Sequence, residues 1–313
     1  MKALEFGIIG PGHFGKHYVR LLSDWGDVHL KVTAHTSDEA RQLIADPDLD
    51  AVVIATPSAT HEGFILECLK AGKHVLVEKP MVTSVAGAVA VQAQLQVTPL
   101  VLMVGFQYVY NDYVRYLGQL IQDKRLGKIL YVLSEHLYPG PLRSDVGCFM
   151  DAGVHELSVL KYLFDPGKVI EVVGKILSFG TAAQDDFTAA TIRFEHGLIA
   201  HLVDSRFAPQ KTRRITIVGA GAMAVFDDMA SEHKLQIFDV PYPAAEKFPS
   251  TGSLFLENKP PEIPTVMTTE PLRNELEHFI HCVRTGEQPL TDVVFGSWVA
   301  EQCETILKDI SKG

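Results

Sequence analysis

The chain has little of what marks the specialised protein classes. Only four cysteines occur in 313 residues, Cys68, Cys148, Cys282 and Cys303, and none forms a C-x-x-C pair or a metal-ligand spacing. A disulfide scaffold and a zinc ribbon are thereby excluded; four reduced, inert thiols and no metal site are expected. Basic residues are scarce, 28 Lys and Arg against 38 Asp and Glu, so the net charge is −10 and the pI about 5.7. Neither a nucleic acid nor an anionic membrane is expected as a partner. The longest apolar run, around Val97–Val104, falls far short of the roughly 20 residues that span a bilayer. Met1-Lys2-Ala3-Leu4-Glu5-Phe6 runs straight into a strand, which predicts no leader peptide and a cytoplasmic location. No repeat or low-complexity tract is visible. What is abundant is apolar side chain, 47% of the residues, enough to bury two cores and so to predict two domains.

The most informative stretch is Lys73–Pro80, Lys-His-Val-Leu-Val-Glu-Lys-Pro. Val75, Leu76 and Val77 read as a strand of a sheet covered on both faces. It stops abruptly at Glu78-Lys79, with Pro80 fixing the chain direction behind them. In open α/β sheets the ligand crevice lies beyond the carboxyl ends of the strands. Lys79 therefore falls where a reacting group belongs. A solvated Glu-Lys turn is the plainer reading, and two other segments weigh against it.

The first is Gly10-Pro11-Gly12-His13-Phe14-Gly15, which follows the apolar strand Leu4–Ile9 and opens a helix through about Leu22. Gly10 suits the tight turn, Gly12 a close backbone approach to a pyrophosphate, and Gly15 close packing of helix on strand. The helix start offers unpaired N–H groups and a positive dipole end to phosphates. A dinucleotide is expected. The usual acid for the adenine ribose is missing: Val28–Ala34 is followed by His35, Thr36 and Ser37, with no carboxylate before Asp38. Ser37 is read as the cap of a helix Asp38–Ala45. Since Ala51–Ala55 is already the next strand, the half-domain is short by one strand–helix unit. NAD is preferred to NADP, with NADP left open.

Strands alternate with helices to about Val104, at Leu4–Ile9, Val28–Ala34, Ala51–Ala55, His74–Val77 and Leu100–Val104, which predicts a doubly wound parallel sheet. From Ile129 the texture changes to long alternating strands: Ile129–Tyr138, Lys168–Ser178, Asp186–Glu195, Leu198–Phe207 and Arg213–Val218. These predict a mostly antiparallel, open-faced sheet with a helix Asp151–Phe164 inserted near its start. The expected division is a dinucleotide-binding domain over 1–110 and a substrate-binding and oligomerisation domain over 111–313. Helices Leu272–Thr285 and Asp292–Lys308 are expected to pack back toward the first domain. Pro241–Pro271 holds seven of the 17 prolines and reads as an extended arm.

The second supporting segment is that inserted helix. Asp151 and His155 are four apart and share a helix face, beside an apolar stripe of Met150, Val154, Leu157, Leu160 and Phe164. A carboxylate orienting an imidazole near a substrate hydroxyl is a general-base unit, because histidine titrates near neutral pH. The plain alternative is a surface i,i+4 pair, which Gly147 and Gly153 nearby make less suitable.

Together these motifs resemble the Gfo/Idh/MocA family of nicotinamide-dependent oxidoreductases. The resemblance rests on the fingerprint at 10–15, Ala55-Thr56-Pro57 with His61, Glu78-Lys79-Pro80, Gly105-Phe106-Gln107 and Asp151-x-Gly153-x-His155. Glu275-Leu276-x-His278-Phe279 and Gly286-x-x-Pro289 fit the closing pattern. Gln107 stands where Asn is commoner. The resemblance implies that Lys79 contacts the substrate hydroxyl and the nicotinamide ribose. It implies His155 as base or proton shuttle, and Asp151 as substrate ligand and orienter of His155. Gly10, Gly12, His13, Phe14, Gly15, Thr36, Thr56, Pro57, His61, Glu78, Lys79 and Gln107 are then the expected cofactor residues.

Within the family, Pro139-Gly140-Pro141-Leu142-Arg143 with Asp145-Val146-Gly147 is similar to the sugar-nucleotide 3-dehydrogenases. The implied reaction is oxidation of a secondary hydroxyl at C3 of UDP-GlcNAc, for later transamination in amino-sugar and lipopolysaccharide synthesis. Arg143 suits the diphosphate or sugar, because guanidinium matches phosphate geometry. Arg206, Lys211, Arg213 and Arg214 are further candidates, against a solvated strand edge. The alternatives are an NAD-retaining glycosidase, a dehydrogenase of a free sugar or inositol, and a non-catalytic NAD-responsive regulator. A homodimer or homotetramer is expected through the second sheet. Its strand at Asp186–Glu195 puts Phe187, Ala189, Thr191 and Arg193 on one face, and Thr188, Ala190, Ile192 and Phe194 on the other. A charge at Ile192 or Ala190 would test the latter face as the contact.

Overall fold

The computed structural model describes residues 3–140, 146–179, 184–239 and 260–311. Arg143 and most of the arm expected over Pro241–Pro271 lie outside them. The chain divides into two units, 1–107 with 270–304, and 108–269 with 305–313. Among the described residues no helix is long and apolar enough to cross a membrane.

The first unit begins with β1 (Leu4–Ile9), α1 (Gly15–Ser23), β2 (Val28–Ala34), α2 (Ser37–Ile44) and β3 (Ala51–Ile54). It continues through α3 (His61–Lys70), β4 (His74–Glu78), α4 (Val85–Val97) and β5 (Leu102–Gly105). The five strands pair in parallel in the order β2-β1-β3-β4-β5. That is the doubly wound order with its outermost strand left out, so the missing strand–helix unit is a property of the fold. Ala51–Ile54 and Val75–Val77 are wholly buried, as strands covered on both faces must be. Burying each such valine or isoleucine contributes roughly 1.5–3 kcal/mol.

Thr36, not Ser37, caps α2, by a capping box: its hydroxyl accepts from Glu39 N, and the Glu39 carboxylate returns to the Thr36 amide. The reason is the acid. Glu39 sits at the third helical position only if the helix starts at Ser37, and the reciprocal pair satisfies two orphan donors at once.

The second unit holds α5 (Asp112–Gln122), β6 (Ile129–Pro139), a π-helical turn at Phe149–Gly153 and α6 (Val154–Phe164). Its remaining strands are β7 (Val169–Leu177), β8 (Phe187–Phe194), β9 (Ile199–Ser205), β10 (Phe207–Gly219), β11 (Met223–Asp227) and β12 (Leu235–Phe238). Seven strands form one sheet in the order β12-β11-β10-β6-β9-β8-β7, antiparallel except for the parallel pair β6–β9. In the first unit α7 (Pro271–Thr285) follows; α8 (Val293–Ile310) then begins there and ends in the second.

One face of the large sheet is core. Ala190, Ile192 and Phe194 of β8 with Ala200 and Leu202 of β9 are buried there, and the stacked rings of Tyr113 on α5 and Phe226 on β11 belong to the same layer. The other face, with Val173, Thr191 and Tyr131, is exposed. The face carrying Ile192 and Ala190 is therefore not available as a contact between chains, and the open face is the one carrying Thr191 and Arg193.

Candidate active site

In the first unit the expected cofactor positions line one edge of the sheet. Because β1, β3, β4 and β5 are parallel neighbours, their carboxyl ends deliver Gly10, Thr56, Lys79 and Gln107 to the same side. Gly10 has φ +84°, and a Cβ at Gly15 would lie 2.2 Å from the Gly10 carbonyl oxygen. Only glycine permits that approach of α1 to β1. At Gly12 a Cβ would meet nothing within 4 Å, and no side chain caps α1. The turn thus leaves an open cradle at an uncapped helix start, which fits a pyrophosphate. His13 is exposed and Phe14 half-buried at the same turn.

His61 is buried and ties two of these loops together. Its Nδ1 lies 2.8 Å from the Pro80 carbonyl oxygen and its Nε2 lies 2.9 Å from that of Thr56. Thr56 also accepts a hydroxyl bond from Thr60 at 2.8 Å, and Pro57 is exposed. Thr36 spends its side chain on the α2 cap. The Glu39 carboxylate that completes the cap also accepts from His35 N at 2.6 Å, and those backbone bonds hold it below the usual carboxylate range. A carboxylate thus does reach the end of β2, four residues later than the ribose acid would stand.

Glu78 points inward. Its Oε2 accepts from Lys79 N at 3.1 Å, while its Oε1 lies 2.7 Å from the Tyr18 hydroxyl. The same hydroxyl lies 2.8 Å from Glu275 Oε1 on α7. One hydroxyl proton serves one acceptor, so the second contact needs a protonated carboxyl donating to the tyrosine oxygen. Burial pushes Glu78 up to about 7, against the pull of the Lys79 charge, and pushes Glu275 well above its usual range. Lys79 itself is half-buried, and the Lys79–Pro80 bond is cis.

In the second unit the Asp–His pair stands on a wider turn than an α-helix. Asp151 belongs to the π-helical turn Phe149–Gly153, and His155 to the first turn of α6. Asp185 anchors the start of this turn by accepting from Phe149 N at 2.7 Å and from Cys148 Sγ at 3.1 Å. A Cβ on Gly147 would sit 1.5 Å from its carboxylate, so any other residue there would displace the Asp185 side chain from the turn. Such π turns are frequent at functional sites. Tyr138, on β6, donates its hydroxyl to Asp151 Oδ2 at 3.1 Å.

His155 is buried in an aromatic nest. The Tyr108 ring meets it edge-on at 4.9 Å, and the His136 ring lies nearly parallel to it at 5.7 Å. A cavity of ≈ 20 Å³ lies beside them, lined by Tyr108, His136, His155, Glu156, Arg213 and Asp228 among others; that is room for about one water. Of the basic candidates, Arg213 and Arg214 both line this cavity; the Arg213 guanidinium lies over the Tyr108 ring at 5.8 Å and 3.8 Å from Asp228. Arg206 is buried, donating to the Val146 carbonyl at 3.0 Å. Arg214 is occupied by Asp227, and Lys211 is exposed.

Sequence reasoning missed His136, Tyr108 and Glu156. Glu156 was visible as the acid next to His155 on a helix rich in apolar residues, but His136 and Tyr108 join His155 only through the sheet and the fold.

The first unit is a dinucleotide-binding sheet, and the second presents a buried acid–base cluster on an open-faced sheet; together they define a two-part NAD-binding oxidoreductase. Residues 27–106 match the family described as "Oxidoreductase family, NAD-binding Rossmann fold", and residues 114–225 match the "GFO/IDH/MocA C-terminal domain". With more than half of its length matched, the chain belongs to the Gfo/Idh/MocA family. A myo-inositol 2-dehydrogenase of Thermotoga maritima is 26% identical over 91% of this chain and 90% of its own. An inositol 2-dehydrogenase of Rhodococcus jostii is 39% identical over 52% of this chain and 50% of its own. The solved UDP-N-acetylglucosamine 3-dehydrogenase of Acidithiobacillus ferrooxidans superposes with a TM-score of 0.82 at 22% identity, covering 100% of this chain and 99% of that one. At that identity the likeness speaks for the fold.

Proposed function

We propose that the protein oxidises a secondary ring hydroxyl with NAD, and that the substrate is a sugar nucleotide, UDP-GlcNAc at C3. The carrying observation is the buried cluster of His155 with Tyr108 and His136, beside an Asp151 held by Tyr138. His155 or Lys79 takes the hydroxyl proton, and Asp151 binds the substrate and orients the base. NAD, when bound, accepts the hydride. Gly10, Gly12, His13, Phe14 and Gly15 hold its pyrophosphate, while Thr56, Pro57, Lys79 and Gln107 line the rest of the cofactor edge. Burying the acid–base groups excludes water and strengthens each electrostatic contact to the reacting hydroxyl. Arg143 is the proposed partner of the diphosphate.

A second substrate reading, a free inositol, is favoured by the names of the relatives with the higher identities. The deciding experiment incubates pure protein with NAD and a panel of UDP-N-acetylhexosamines, inositols and free sugars, following NADH absorbance. Turnover of UDP-GlcNAc supports the first reading, and turnover confined to inositols replaces it with the second. Sugar release from aryl glycosides without net NADH would replace both by a glycosidase.

A further inference from the structure

Asp204, His136 and Arg213 are in register across β9, β6 and β10 and share one face of the sheet. Glu156 reaches this row from α6, with its Oε1 3.1 Å from His136 Nδ1. Glu156 Oε2 and both oxygens of Asp204 are buried, and none meets an N–H or a hydroxyl among the described residues. Yet Asp204 and Glu156 lie within hydrogen-bonding range of each other. Two carboxylates bond only when one carries a proton. In general, two bare unit charges of like sign at about 4 Å repel by about 4 kcal/mol even at an effective dielectric of 20. A single shared proton removes that repulsion and satisfies the stranded oxygens.

We propose that Asp204 is a neutral acid donating its proton to Glu156, and that the pair, as one negative charge, fixes the His136 ring against His155. Asp204 and Glu156 are then positioning residues for the reaction proposed above, on which this part of the inference rests. Burial, the Glu156 charge and the nearby Asp185 charge all push the Asp204 carboxyl upward. With Glu156 as sole anion of the pair, His136 donates Nδ1–H to it and the ring is held in one tautomer. The ring's stacking on His155 follows from that hold. Asp204 reaches His155 only through two intermediaries, so it was invisible to any argument from spacing.

Infrared spectroscopy of the whole protein in heavy water at neutral pH tests the shared proton. The wild type should show the C=O stretch of an un-ionised carboxyl that shifts when the protein is made with ¹³C-aspartate, and this band should vanish in Asp204→Asn. Glu78 and Glu275 do not respond to that label. Absence of a label-sensitive band, or its persistence in Asp204→Asn, overturns the proposal. Turnover tests the positioning role. Asp204→Asn keeps a donor toward Glu156 and should hold kcat within about twofold, whereas Asp204→Leu should lower kcat about 10-fold or more at nearly constant KM. Equal losses in the two variants, or none in Asp204→Leu, overturn it. If Asp204→Leu does not fold, a loss of more than about tenfold in Asp204→Asn still overturns it. Should the wild type oxidise no alcohol in the panel, the dehydrogenase reading falls, and the infrared band alone upholds or overturns the shared proton.

Discussion

The two units solve one electrostatic problem in different ways. Each places a buried carboxyl next in sequence to a proposed acid–base residue, Glu78 before Lys79 and Glu156 after His155. Each then sets a second buried acid against it. In the first unit the Tyr18 hydroxyl stands between Glu78 and Glu275. In the second, Asp204 and Glu156 touch without an intermediary. A bridging hydroxyl separates the two charges and still requires one proton; direct contact requires the proton and nothing else. The first arrangement joins α1, β4 and α7, so it also fixes the framework behind Lys79. The second joins β6, β9 and α6 and fixes a ring.

The largest effects should come from the residues these pairs support. Lys79→Ala and His155→Ala should each lower kcat by roughly 10²-fold or more, the range for a positioned acid–base group. Lys79 is only half-buried, so its variant should melt near the wild type, whereas His155→Ala empties a buried site beside Tyr108 and His136 and should also cost stability. Near-native turnover in either variant removes that residue from the chemistry and breaks the parallel between the units.

A second contrast lies within the second unit, between the two faces of its sheet. Ile192 is wholly buried, and Ile192→Glu should destabilise the protein by about 3 kcal/mol or more, because a charge would enter the core. Val173 is 67% exposed on the opposite face. An open sheet face with Val173, Thr191 and Tyr131 suits a second copy, by an isologous contact. Light scattering should report a homodimer or homotetramer, and Val173→Glu should dissociate it without lowering the melting temperature of the monomer. A wild type that scatters as 34.5 kDa at micromolar concentration ends that expectation.

The acid pairs also set how stability depends on pH. Glu78 is raised from 4.5 to about 7, so between those values the native state holds more protons than the unfolded chain. Unfolding free energy then falls as pH rises through that window. Asp204 and Glu275, both raised, act in the same direction. Urea melts at pH 5, 6 and 7 should show declining stability, by a few kcal/mol at most. Glu275→Gln and Asp204→Asn should each flatten part of the decline, and a wild type whose stability rises across the window contradicts both pairs.

How much was legible in the sequence follows the same division. In the first unit, parallel strands end at one edge, so a motif at each strand end already places its residues together: Gly10, Thr56, Lys79 and Gln107 could be grouped from order alone. What escaped were partners brought in across the fold, such as Glu275 against Tyr18, 257 positions away. In the second unit, periodicity fixed the strands but not which face was core, because Ala190, Ile192, Phe187 and Ala189 are alike in polarity. The π turn was also hidden. An α-helix was read from Asp151, whereas the winding is set by Asp185 and Gly147, which no local pattern connects. Likewise β11 and β12 were too short to stand out from the turns around them.

The smallest effect expected is in cofactor choice, and it turns on the first unit alone. A carboxylate at the end of β2 ordinarily holds the ribose hydroxyls and repels a 2′-phosphate. Here Glu39 supplies the carboxylate, but it accepts from both His35 N and Thr36 N and closes the cap of α2. A group so engaged offers its charge to the ribose without being able to turn toward it. Arg41, the nearest cation, is paired with Asp38 on the exposed face of α2, and so gives a 2′-phosphate little in return. NADH should therefore bind more tightly than NADPH, by less than about a thousandfold, roughly 4 kcal/mol. Glu39→Gln retains an acceptor for the cap but loses the charge. It should narrow the preference several-fold while leaving NADH affinity nearly unchanged. Fluorescence titrations of both cofactors against wild type and variant read this directly. A preference above a thousandfold, or one that Glu39→Gln leaves intact, would mean that the ribose is recognised from elsewhere in the fold.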